Sequence, residues 1–204
     1  MSKHLSEING IDIYEEDFNL IDHSWFNDNL INYEIQNMIQ EKDCEKILII
    51  DAVQFILLKF QPIEDLLDCL DGKKYKHIIS VINDVDNNDK PGGGEHWSLA
   101  YFNINEKKCF YYDSVGYKSL FVIKDIVEKM SKYFDIQFKT VVGKCYQQQN
   151  GIDCGPCVLI NIHALQSLIF NNKNSFGELQ NEFTPIEMRN KIKQRILKDV
   201  EKNK

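Results

Sequence analysis

The chain has 204 residues and a formal net charge of −7, with 43% hydrophobic and 27% charged residues. Those proportions describe an ordinary globular protein, and the acidic balance argues against a nucleic-acid partner, which needs a clustered basic face. The first residues, Met1 to Glu7, lack the apolar run of a secretory signal, and the apolar segment Cys157–Phe170 is broken by Asn161, His163 and Gln166, so no membrane span is expected either.

The length fits one domain over residues 1–204, and a monomer is expected. Six cysteines, at positions 44, 69, 109, 145, 154 and 157, are mostly scattered. Without a signal they read as reduced thiols of a cytoplasmic or nuclear protein, with a secreted effector left open.

In chain order, Asn27–Glu41 carries Leu30, Ile31, Ile35, Met38 and Ile39 at helical spacing. His4 is expected in a loose terminus. Ile47–Ile50 is a short strand, followed by a helix from Asp51 to about Phe60. His77–Ile82 reads as a buried strand. Residues 83–94, rich in Asn, Asp and Gly, read as a surface loop that borders His96. His96–Ile104 and Cys109–Asp113 are strands joined by the polar turn Asn105-Glu106-Lys107. Ser119–Phe134 is helical, Ile136–Val142 a strand and Cys154–Phe170 a helix. The last helix opens on Thr184-Pro185-Ile186-Glu187, a capping box with proline in its first turn. Strands in the middle and helices at both ends make an α+β fold.

The chemistry concentrates in His96-Trp97, Asp113 and the string from Gln148 to Gly155, QQNGIDCG. If a turn centred near Asn105-Glu106 pairs the two strands, His96 and Asp113 lie almost opposite. Opposed Cβ atoms are about 4.5–5.5 Å apart, within reach of a carboxylate–imidazole hydrogen bond. Cys154 follows the Asn150-Gly151 turn and falls where a helix begins, where unpaired N–H groups and the dipole favour a thiolate. Its backbone N–H and the Gln148 side-chain amide are candidate donors to a developing oxyanion. Base, orienter, oxyanion donor and nucleophile are the parts a thiol hydrolase needs. Taken singly each has a duller explanation: a turn-capping Asp, a strand His, a small buried Cys. His163, nine residues along the same helix, is about 13 Å from Cys154 and too far to serve as its base.

Two rivals use the same cysteines. Cys154-Gly155-Pro156-Cys157 is the four-residue string of thioredoxin-like dithiol oxidoreductases. In that fold strands follow the motif, whereas here everything after Cys157 reads as helix, and His96, Asp113 and Gln148 would have no task. A reversible Cys154–Cys157 disulfide is a milder version. A zinc site lacks a second ligand pair, so no metal is expected.

Ser24-Trp25-Phe26-Asn27-Asp28, Ile82-Asn83-Asp84, His96-Trp97-Ser98-Leu99, Tyr112-Asp113-Ser114 and Gln148-x-Asn150-Gly151-x-Asp153-Cys154-Gly155 together resemble the Ulp/sentrin-specific proteases. The resemblance implies a papain-like fold, a central, mostly antiparallel sheet flanked by helices with the nucleophile at a helix N-terminus. It implies a thiol protease that cuts after the C-terminal Gly-Gly of a ubiquitin-like modifier and uses no cofactor. Carried over, the triad is His96, Asp113 and Cys154, with Gln148 in the oxyanion hole and Gln149 as the substitute. Trp25 and Trp97 would line a slot for the Gly-Gly tail, and Asp28 would contact the modifier. The compact length and the Pro91–Trp97 approach look most like the deneddylase branch; SUMO- or ubiquitin-directed enzymes, bacterial effectors included, are the alternatives. Phe26 in place of the usual Leu, and Pro156 after Cys-Gly, depart from the pattern.

Overall fold

The structure is a computed structural model and describes residues 2–41, 46–85, 94–116 and 120–202. Its elements are β1 (His4–Ile8), β2 (Ile11–Tyr14), α1 (Glu15–His23), α2 (Asp28–Glu41), β3 (Ile47–Ile50), α3 (Ala52–Phe60), α4 (Ile63–Cys69), β4 (His77–Asn83), β5 (Trp97–Asn103), β6 (Lys108–Tyr112), α5 (Leu120–Phe134), β7 (Lys139–Val142), α6 (Cys154–Phe170) and α7 (Pro185–Lys202).

Five strands form one sheet in the order β3-β4-β5-β6-β7. The three central strands are antiparallel, as expected, while β3 and β7 join the edges in parallel. The reason is covalent. The chain reaches β4 from β3 through α3 and α4, and β7 from β6 through α5, and a helical crossover returns a strand in the same direction.

Both faces of the sheet are covered. Leu99, Tyr101, Phe110 and Tyr112 point into a core shared with α2, α6 and α7. Ala100, Phe102, Cys109 and Tyr111 point the other way, into a core with α3, α4 and α5. This alternation along β5 and β6 is the period-2 signature of strands, and burial on both faces explains why they read as continuous apolar runs. Among the described residues no helix is long and apolar enough to cross a membrane.

The N-terminus departs from expectation. His4 is not in a loose end but opens β1, where its ring bonds the Asp12 side chain at 2.8 Å. The β1–β2 hairpin turns on Asn9 and Gly10, both at positive φ. An Asn-Gly turn between alternating apolar residues is the strongest short-range hairpin signal. The expected loop over residues 83–94 lies for the most part, at 86–93, outside the described residues.

Candidate active site

Four segments build the site. The first is the end of β4, where the Asp84 carboxylate accepts from the backbone N–H groups of Glu95 and His96 at 2.6 and 2.9 Å. Asp84 N–H in turn donates to the His96 carbonyl at 3.2 Å. This pins the backbone of His96 just before β5 begins. Gly94 enters the same turn at φ +91°, and a Cβ there would lie 1.8 Å from Asn83 Oδ1, so only glycine fits.

The second segment is the end of β6. His96 Nε2 and Asp113 Oδ1 are 2.7 Å apart and both side chains are buried. The strand register corrects the expected opposition. Leu99 pairs with Tyr112 and Asn103 with Lys108, which sets Asp113 across from Ser98 and two places short of His96. The pair is diagonal, and the hydrogen bond forms because diagonal neighbours remain within reach of long side chains. Asp113 is also held by the Tyr111 hydroxyl at 2.9 Å and the Val115 N–H at 3.0 Å. Burial pushes its carboxyl up, but these donors outweigh it and hold it below the ordinary carboxylate range. Tyr111 was not singled out from the sequence; it sits two residues before Asp113, on the same face of the strand.

The third segment leads into α6. Asn150 Oδ1 accepts from the N–H groups of Ile152 and Asp153 at 3.0 and 3.1 Å, forming an Asx turn that delivers Cys154 to the first position of the helix. Cys154 is buried and close enough to the His96 ring to raise its proton affinity. Burial pulls the His96 imidazolium down, but Asp113 and Cys154 together raise it to about 9. Gly155 lets α6 close on the Trp25 segment, since a Cβ there would stand 2.7 Å from the Cβ of Phe26. Gln148 is fixed by its backbone N–H to the Ser114 carbonyl at 3.0 Å and by Ser114 Oγ donating to its side-chain oxygen at 2.6 Å. Gln149 is exposed and bonds only locally, to the Gln147 carbonyl at 3.1 Å. Burial pushes the Cys157 thiol up to about 12, a proton-retaining group ill suited to disulfide exchange with Cys154.

The fourth segment precedes α2. Asn27 caps that helix by accepting from the Leu30 N–H at 3.1 Å, which turns Trp25 and Phe26 toward Cys154. The Trp25 indole donates to the Gly151 carbonyl at 2.5 Å, and the Trp97 indole to the Phe26 carbonyl at 2.9 Å. Both line a cleft of about 650 Å³, together with Asp28, Val53, Leu57 and Cys154 among others. Beneath it the buried guanidinium of Arg189 on α7 binds Asp153 and the carbonyls of Ile21, Ser24 and Ile152, and lies 4.8 Å from the centre of the Phe26 ring. Neither Arg189 nor Asp84 was picked out beforehand; Asp84 lay in a quoted motif without a role.

The residues proposed from sequence as His, Asp and Cys of a triad are thus brought together, with both tryptophans and Asp28 around the same opening. A buried carboxylate, an imidazole and a thiol at a helix N-terminus define a thiol hydrolase site.

Comparison with known proteins agrees. Residues 71–200 match the model of the Ulp1 protease family, C-terminal catalytic domain, and the chain belongs to that family of cysteine proteases. Sentrin-specific protease 8 of Homo sapiens is 28% identical over 170 residues, 78% of this chain and 79% of that protein. NEDD8-specific protease 1 of Schizosaccharomyces pombe is 29% identical over 139 residues, 68% of this chain and 31% of that protein. Among solved structures, the C-terminal Ulp1 protease domain in complex with Smt3, the yeast orthologue of SUMO, superposes with a TM-score of 0.72 at 21% identity, over 98% of this chain and 89% of that chain. The fold is therefore that of the Ulp1-like catalytic domain, with a mixed five-stranded sheet between helices.

Proposed function

We propose that the protein cleaves the bond after the C-terminal Gly-Gly of a ubiquitin-like modifier, and that the modifier is the one used in neddylation. One observation carries the reaction: the buried 2.7 Å bond between His96 and Asp113, with Cys154 beside the same imidazole at a helix N-terminus that lines the cleft. Cys154 Sγ attacks the carbonyl carbon of the terminal glycine while its proton passes to His96. The high affinity of His96 for that proton favours the imidazolium that this transfer creates. Asp113 keeps the ring oriented and offsets its charge. The Cys154 N–H and the Gln148 amide take the oxyanion. Collapse expels the amine, which His96 protonates, and leaves a thioester on Cys154. Water, losing a proton to His96, then releases the modifier's carboxylate and restores the thiol.

Trp25, Trp97 and Asp28 all line the cleft, which supports their assignment to the tail. A slot between two indoles accepts residues without side chains, which is the chemistry of Gly-Gly. The choice of modifier is supported by the similarity to a NEDD8-specific protease over 68% of the chain. Precursors of ubiquitin, SUMO and the neddylation modifier, each with a short C-terminal extension, test it in one assay. Preferential cleavage of the last is expected; preferential cleavage of either other precursor would overturn the assignment.

A further inference from the structure

Asp113 and Ser114 are neighbours in sequence, and each grips a different part of the site. Asp113 holds the imidazole at 2.7 Å, while Ser114 Oγ donates to Gln148 Oε1 at 2.6 Å and its carbonyl accepts from the Gln148 N–H at 3.0 Å. We propose that Ser114 is a positioning residue for the oxyanion hole, holding the Gln148 amide in place through its oxygen end and its backbone N–H. This rests on the reading of Gln148 as an oxyanion donor.

A primary amide has an oxygen end and a nitrogen end of nearly the same shape, and only one of them can donate. On one side of Gln148 stands the Asn150 carbonyl, which can only accept and takes an N–H from Gln148 Nε2 at 2.6 Å. On the other side stands the Ser114 hydroxyl, which gives its single proton to Oε1. The carbonyl sets which end is nitrogen, and the hydroxyl, together with the Ser114 carbonyl on the Gln148 N–H, holds the amide in that place from its oxygen end. An amide nitrogen carries two hydrogens; Asn150 takes one and the other serves the oxyanion. Ser114 is itself buried, which shields both of its contacts to Gln148 from water.

The test compares Ser114→Ala, Gln148→Ala and the double variant in the full chain, using a C-terminal fluorogenic amide of the modifier that the wild type cleaves best. A neutral hydrogen bond that merely orients a donor predicts a loss of roughly three- to tenfold in kcat for Ser114→Ala. Gln148→Ala, which removes the donor, should lose about 10²–10³-fold. KM should stay within about twofold, because the contact acts on the transition state. Alkylation of Cys154 by iodoacetamide, which develops no oxyanion, should keep its wild-type rate. In the double variant Ser114→Ala should add nothing to Gln148→Ala, since the hydroxyl acts only through the amide. Losses that multiply, a changed alkylation rate, or an unchanged kcat in Ser114→Ala would overturn the inference. Should Ser114→Ala fail to fold, Ser114→Thr, which keeps the hydroxyl, is expected to keep kcat, and a roughly three- to tenfold loss there would overturn the inference. Full activity in Gln148→Ala would overturn the oxyanion reading itself, which separates that failure from a fault in the role of Ser114.

Discussion

Arg189 on the last helix donates to the carboxylate of Asp153, the residue before the nucleophile, at 2.9 Å across 36 positions of sequence. The same guanidinium binds three carbonyls, those of Ile21, Ser24 and Ile152. One buried cation therefore ties the start of α6 to the segment that carries Trp25. Arg189→Met keeps the stem but leaves a partly buried carboxylate and three carbonyls without their donor. A loss of about 3–5 kcal/mol is expected in urea denaturation. Arg189→Lys should recover little of it, because an ammonium lacks the planar fork that reaches four acceptors. Wild-type stability in either variant would contradict this role.

The ionisation of His96 makes stability depend on pH in a defined window. Its folded pKa is about 9, above the ordinary value of 6.5, so the contribution is complete below about pH 6.5 and is lost as pH rises through 9. Denaturation midpoints at pH 6 and pH 9.5 should show the wild type losing on the order of 3 kcal/mol more than His96→Leu. Asp113, whose pKa is lowered, acts oppositely, losing its contribution as pH falls through its depressed value. Equal pH dependence in the wild type and His96→Leu would refute the coupling.

The two tryptophans should behave differently when truncated. Trp25 is 50% exposed, whereas Trp97 is partly buried and packed on the core of α2 and α6. Trp25→Ala should raise KM for the modifier with less than about 1 kcal/mol lost in stability. Trp97→Ala should raise KM and also cost about 2–4 kcal/mol. Unchanged KM in both would remove the slot between the indoles from the account.

Gly155→Ala probes the closure of α6 on Phe26. The added methyl would meet the Phe26 Cβ at 2.7 Å, and neither backbone can yield cheaply. A loss of about 1–3 kcal/mol is expected, with kcat reduced because the strain falls beside Cys154. A variant as stable and active as wild type would show that the two segments are free to part.

Much of this architecture was legible in the sequence where the signal was local. Helical spacing placed α2, α5 and α6 to within a residue or two, α3 was expected one residue early, and the capping box that marked the start of α7 is formed, with Glu187 accepting from the Thr184 N–H at 2.7 Å. The pairing of His96 with Asp113 and the place of Cys154 at a helix start were legible because their motifs sit at strand and helix ends. The β1–β2 hairpin was missed despite Asn9-Gly10, since its strands are short and half exposed. α1 has few apolar positions, and α4 only seven residues, too few to show a period. A turn centred between Asn105 and Glu106, as expected and as observed, pairs Asp113 with Ser98, so the two-residue error for His96 lay in counting along the strands and not in the turn. Arg189, Asp84, Ser114 and Tyr111 matter through partners that only the folded chain supplies, and no local pattern announces such contacts.

Cys154 acting as the nucleophile beside His96 is the step on which the proposed chemistry rests. A C-terminal electrophile built on the modifier that the wild type cleaves, read out by intact mass, tests this directly. Wild-type protein should gain the mass of one probe, His96→Leu should react far more slowly, and Cys154→Ala should gain nothing. A Cys154→Ala protein labelled as fast as wild type would contradict the assignment.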